Sequence, residues 1–369
     1  MVNLDTVDWD KIAQSQQFIE DLFAGRNLTR PGIIIHYPGV PAPELPVGMP
    51  EHEQSVARFE AEVCSRPLGE DDYVPALGTG SGTCTMATAF GSVEVKKDGL
   101  SWPTPVITDP AQIDRLTVPA VTAGRLGAVL EQTRAFDRHL DHRLWIRNMD
   151  FQSPFTTVEQ ILGSDLFFLM PYDEPRRLHR LMEIVTDLAI AFFKAQIAAA
   201  GARCCRGLWP MFWFPKSAGI QMSDDNLCNV SPEVYDEFVV PYNNRIAAAF
   251  GGLFFHSCII RENNLASLHK LQRLTGINCD ISNSVSPGVL LREFGHRAVI
   301  SPHAYINTDA RFQSYGAFME RCLGEWKPGQ RLFVYPCATL YEPASGRDLP
   351  FDGAAVRQAM RRVTCSPAA

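Results

Sequence analysis

Apolar positions along this chain follow two periods, and where one gives way to the other marks the expected elements. Over the first thirty residues Ile12, Phe18, Ile19 and Leu22 recur at helical spacing until Arg30-Pro31-Gly32 interrupts them. Residues 32–37 form a continuous apolar, β-branched run, the pattern of a strand covered on both faces, ending at His36 and Tyr37. The proline-rich stretch after it can continue neither sheet nor helix and is expected to pass over one end of the domain. From residue 105 onward helix and strand patterns alternate. Helices are expected around 123–140, 158–169, 174–199 and 232–249, and strands around 144–150, 206–212, 253–258, 276–281, 298–301 and 332–335. Such alternation predicts parallel strands with helices packed on them. At 369 residues it fits a (β/α)8 barrel, a fold that commonly runs to about 250 residues or more; a doubly wound open sheet gives a similar rhythm. The expectation is an α/β protein of one barrel domain over residues 1–369, with 1–30 as an N-terminal helical extension.

Composition narrows the function classes. With 46% hydrophobic and 20% charged residues the chain can bury a full core without crosslinks. A net charge of -7 and no Lys/Arg stripe argue against a nucleic-acid partner. The first residues carry no basic region leading into an apolar stretch, and the most apolar helix is interrupted by Lys194 and Gln196, so a cytoplasmic protein without a membrane span is expected. Ten cysteines in that compartment are then buried thiols or metal ligands. Gly78–Cys84 is glycine-rich but lacks the spacing and the Lys-Ser/Thr ending of a phosphate loop, and reads as a flexible turn.

The segment 254–258 carries the most specific chemistry. An apolar strand ends there and presents His256 and Cys258 two residues apart, a spacing that projects both to the same side. Cys337 lies just beyond another apolar strand, 332–335, and in a parallel barrel all strand ends share the face where active sites gather. One nitrogen and two sulfurs suit zinc, with a fourth position left for a substrate atom. A thiol bound there would lose its proton to become a nucleophile. The plainer alternative is that these cysteines are small apolar core residues. Cys279 is a rival or additional ligand, and Asp280 beside it a polar wall residue.

Whole-chain order adds a resemblance. Residues 150–155 followed by Ile161-Leu162-Gly163, then Ser231-Pro232-Glu233 through Phe238 with Pro241, together with 88–91 and 103–107, resemble motifs of the uroporphyrinogen decarboxylase superfamily, and within it the methylcobalamin:coenzyme M methyltransferase-like branch. That resemblance implies a barrel carrying zinc on His256, Cys258 and Cys337. It also implies a methyl group moved between a corrinoid (methylcobalamin or a separate corrinoid protein) and a small-molecule thiol. Ser153 stands where the family has glycine in its GPFT segment, and Ile259 where a glycine often follows the cysteine. The decarboxylases of the superfamily clamp carboxylates with an arginine-rich segment after the first strand; here that strand ends in His36 and Tyr37. Metal-free tetrapyrrole decarboxylation is the alternative activity, and a silent barrel a third reading.

Other polar positions complete the set. Asp224 and Asp225 fall where a strand-to-helix loop is expected, either handling protons and substrate or capping a turn. In the aromatic run 209–214, Trp209 and Phe212 can roof a planar corrinoid or simply fill core. His36 and His303 end predicted strands and can face the site or sit in its wall. No exposed apolar stripe specifies a dimer, although a homodimer fits barrels of this size.

Overall fold

The computed structural model describes residues 3–34, 43–66, 71–80, 82–97, 100–207, 213–304 and 312–335, with a few short pieces beyond. The strands are β1 (Gly32–Ile33), β2 (Ala76–Leu77), β3 (Glu94–Lys97), β4 (Leu100–Pro103), β5 (Trp145–Arg147), β6 (Cys204–Cys205), β7 (Ile220–Ser223), β8 (Leu253–Ser257), β9 (Leu274–Asp280), β10 (Val299–His303) and β11 (Phe333–Val334). Apart from the antiparallel β3–β4 hairpin, these join into a parallel ring. β1 pairs with β11, a bridge from Leu332 to Ile300 joins β11 to β10, and β10, β9, β8 and β7 follow in order. Ser223 bridges to Gln152 beyond β5, β5 pairs with β2, and the Asp72 amide donates to the Ile33 carbonyl. β6 runs beside the start of β5 and β7 meets its continuation, so two short strands fill the fourth place in turn. The architecture is a TIM-barrel-like α/β fold.

Ser-Pro pairs start three of the helices that follow strands. Ser153, Ser231 and Ser286 each accept an amide hydrogen bond from the residue three further on, while the following proline occupies the first helical position, where its missing N–H costs nothing. The helices so begun span Pro154–Leu162, Pro232–Phe238 and Pro287–Phe294. Ser153, the departure from the family's glycine, is thus a helix cap. Other helices differ from the expected spans for local reasons. The helix expected over 158–169 is two, because Gly163 at φ +77 breaks it. The one expected over 232–249 breaks at Val239, just ahead of Pro241. The first helix, α1 (Trp9–Ala24), stops at the left-handed Gly25. The strand expected over 206–212 is placed at Cys204–Cys205 instead, residues 208–212 lying outside the described ones. Both β7 and the helix α2 (Glu51–Ser65) went unread, the first for its mixed polarity and the second for its low apolar content.

Two apolar clusters follow from strand alternation. Phe255, Ile277 and Ile300 pack outward against the helices, whereas Phe254 and Val299 pack with Phe23 and Phe214. The rings of Phe214 and Phe254 lie 4.3 Å apart and that of Phe23 is 5.2 Å from Phe214, so the end of α1 plugs the barrel below the polar ends of the strands. Gly276 makes room for this plug, since a Cβ there would fall 2.2 Å from the Phe254 ring. The helix Pro175–Ala200 is long and apolar enough to cross a membrane by length and composition, yet Leu181, Val185, Leu188 and Phe192 are buried in the outer cluster.

Closure between the first two strands depends on Asp72. Its carboxylate accepts both Arg30 guanidinium nitrogens at 2.8 and 2.6 Å and the Ile33 amide at 3.0 Å. Asp72→Ala should therefore lower stability by about 3 kcal/mol, because it strands a partly buried guanidinium and a strand amide. A denaturant midpoint within error of wild type would show that the pair does not hold the ring closed.

Candidate functional site

The polar residues gather at the carboxyl ends of neighbouring strands. Phe254 and His256 share the inward side of β8 by the two-residue period, and Cys258 follows at the bend just past the strand's end. His256 is buried, and its Nδ1 lies 2.5 Å from Asn278 Oδ1 on β9. The Asn278 amide nitrogen in turn donates to the Ser301 carbonyl of β10. A carbonyl can only accept, so Asn278 must turn its oxygen to the imidazole. That fixes the proton of neutral His256 on Nδ1 and leaves the Nε2 lone pair facing the mouth. Cys258 Sγ is 3.7 Å from that Nε2. Donors sharing a tetrahedral zinc, at about 2.0 Å for nitrogen and about 2.3 Å for sulfur, stand about 3.6 Å apart. His256 and Cys258 therefore fit one metal ion. Burial and the neighbouring Asp225 carboxylate push the Cys258 thiol far above its ordinary range, so unaided it stays protonated.

Asp224 and Asp225, adjacent in sequence, point to different places. Asp224 is fully buried; its carboxylate accepts the Tyr235 hydroxyl at 2.8 Å and faces Asn243 and Thr156 at 3.4 Å, all on helices. Burial raises its pKa to about 6 against the pull of those donors. Asp225 turns to the mouth, with Oδ1 2.8 Å from the Cys258 amide and 3.6 Å from His256 Nε2. Ligand atoms of Asp225, His256 and Cys258 all lie within 4.8 Å of one another.

The remaining sequence candidates divide. Cys279 is buried in the outer cluster, one residue out of phase with Asn278 and so on the helix side of the sheet. That removes it as a rival ligand. Asp280 shares the inward side, but its oxygens accept the Ser282 amide and the Asn283 side chain, both at 2.9 Å, and hold the turn after β9. His303 is buried at the end of β10 with its ring stacked 5.8 Å from that of His256; burial and that neighbour lower its pKa to about 3, so it is neutral. His36, Trp209, Phe212 and Cys337 lie outside the described residues. Asn278 and Asp150 were missed. The parity of Asn278 with His256 on paired strands was the available signal for the first. For Asp150 there was only its place at the end of an expected strand. A second trio, His52, Glu53 and His139, forms on the outer helices, with the imidazoles 5.3 Å apart.

Comparison with known proteins agrees with the barrel fold. The uroporphyrinogen decarboxylase (URO-D) family profile matches residues 76–299, from β2 to the start of β10. The chain belongs to the uroporphyrinogen decarboxylase family. Curated uroporphyrinogen decarboxylases of Xanthomonas axonopodis pv. citri and Xanthomonas oryzae pv. oryzae are 31% identical to it over 147 residues, which is 38% of this chain and 36% of theirs. The match thus spans little more than a third of the length of those relatives. A solved structure, a methyltransferase from Methanosarcina mazei, superposes with a TM-score of 0.61 over 95% of this chain and 98% of its own, at 14% identity, and so shares the fold.

Asp150 lines a cavity of about 610 Å³ beside Cys84, Trp102 and Glu159, and its Oδ1 is buried without a hydrogen bond among the described residues. Burial, then the Asp225 charge, raise its pKa to about 7. Because the folded value exceeds the ordinary 3.8, the protonated form favours the fold. That contribution is complete below about pH 4 and is lost as pH rises through about 7. Asp150→Asn should accordingly melt above wild type at pH 8 and lose that advantage progressively as pH falls toward about 4. Parallel Tm profiles across this range would show that Asp150 keeps its charge in the fold.

Proposed function

We propose that this chain is a zinc-dependent methyltransferase that moves a methyl group between a corrinoid, free or carried by a partner protein, and a small thiol. The observation that carries the reading is the His256–Cys258 pair, two metal donors at zinc spacing with the imidazole tautomer fixed by Asn278. Membership of the family, and a barrel shared with a methyltransferase, support it. Zinc, when bound, supplies a Lewis acid that stabilises a thiolate at neutral pH.

What the chain itself contributes can be read from its contacts. Asn278 orients His256, the Asp225 carboxylate pins the Cys258 amide, and neutral His303 walls the site beside the imidazole. In this reading Cys337, outside the described residues, supplies a further thiolate, as the His-x-Cys…Cys pattern of the sequence suggests. Trp209 and Phe212 are the candidates to cover a corrinoid. A second reading, tetrapyrrole decarboxylation without metal, is favoured by the Xanthomonas relatives.

Elemental analysis of purified chain, wild type against Cys258→Ala and Cys337→Ala, separates the two. About one zinc per chain, lost in both variants, together with thiol methylation from methylcobalamin, is the expected result. Metal-free protein that turns over uroporphyrinogen would establish the decarboxylase instead.

A further inference from the structure

We propose that Asp225 is itself a ligand of the metal held by His256 and Cys258, adding an oxygen donor from the turn that follows β7. The inference rests on the zinc reading above and extends it to a residue beyond the end of a separate strand. Oδ1 lies 3.6 Å from His256 Nε2. Oxygen and nitrogen donors on one tetrahedral zinc, each at about 2.0–2.2 Å, stand about 3.4 Å apart. One ion can thus reach both with a shift of a few tenths of an ångström.

This placement is built into the backbone. The Asp224 amide donates to the His256 carbonyl at 2.8 Å, which locks the end of β7 to β8 and sets Asp225 opposite Cys258. The Asp224 side chain, bound among the helices by Tyr235, keeps the next residue turned to the mouth. Upstream, Gly219 at φ +80 lets β7 start against β8; a Cβ there would fall 1.9 Å from the Gly252 carbonyl oxygen. The Cys258 amide occupies one of roughly four lone-pair directions of the carboxylate and leaves the others for a cation. Charge points the same way. The Asp225 carboxylate faces the neutral imidazole of His256, while the Asp280 charge adds negative potential nearby. A divalent cation neutralises that field.

Zinc affinity by chelator competition and the visible spectrum of the cobalt(II)-substituted protein, on the full chain, test the assignment in wild type, Asp225→Asn, Asp225→Ala and Cys258→Ala. Asp225→Asn keeps an oxygen for the Cys258 amide, so its behaviour reports on ligation apart from the loop hydrogen bond. Both Asp225 variants should bind zinc at least about tenfold more weakly. Their cobalt ligand-field bands should move while the sulfur-to-cobalt charge-transfer band, absent in Cys258→Ala, persists. Unchanged affinity, or weakened affinity with an unchanged cobalt spectrum, would overturn ligation by Asp225 and leave the zinc reading standing. Wild type that binds no metal would remove both.

Discussion

The hydrogen-bond chain from His256 through Asn278 to the Ser301 carbonyl ties three adjacent strands together at their polar ends, and the site depends on it. It operates only if β8, β9 and β10 keep a register in which positions 256, 278 and 301 meet, as they do in the pairings of His256 with Asn278 and Asn278 with Ser301. A one-residue slip would turn Cys279 inward and Asn278 into the apolar outer cluster, costing both a buried amide and the imidazole's orientation. Packing enforces the register. Gly276 accommodates the Phe254 ring, and Phe255 and Ile277 engage the helices on the other side. The same alternation that fills the barrel below therefore aims the donors above.

Much of this could be read from the sequence, for the reason that alternation is a local property. The His-x-Cys spacing gave the shared direction of His256 and Cys258 because β8 is extended. Strand rhythm from residue 144 onward located β5 and β8 to β11 within a few residues. What needed three dimensions was parity between strands. Cys279 and Asp280 looked equally eligible as ligands until the register placed the first outside the barrel and the turn after β9 absorbed the oxygens of the second. The split between Asp224 and Asp225 was equally hidden, since neighbouring residues leave a strand end in opposite directions and nothing local says which faces the mouth. Tyr235 decides it from eleven residues away. Short strands such as β2 and β7 escaped notice because two to four residues, among them Gln221 and Ser223, carry no periodic signal.

The carboxylates around the mouth show how the fold distributes charge. Asp224 is satisfied by hydroxyl and amide donors, Asp280 by its own turn, and Asp150 by retaining its proton up to about pH 7. Asp225 differs from all three in that its contacts are the Cys258 amide and the imidazole, both belonging to the donor pair. Three carboxyls are thus compensated by the protein alone, and the one left to act on a ligand sits beside the only described cysteine that shares a strand end with a histidine. Burial of an apolar plug beneath lowers the local dielectric and strengthens each of these interactions. Asp225, its side chain 39% exposed at the opening, keeps its carboxylate in contact with solvent and accessible to a cation. The contacts that settle the other three carboxyls are therefore what leaves Asp225 as the open oxygen donor beside His256 and Cys258.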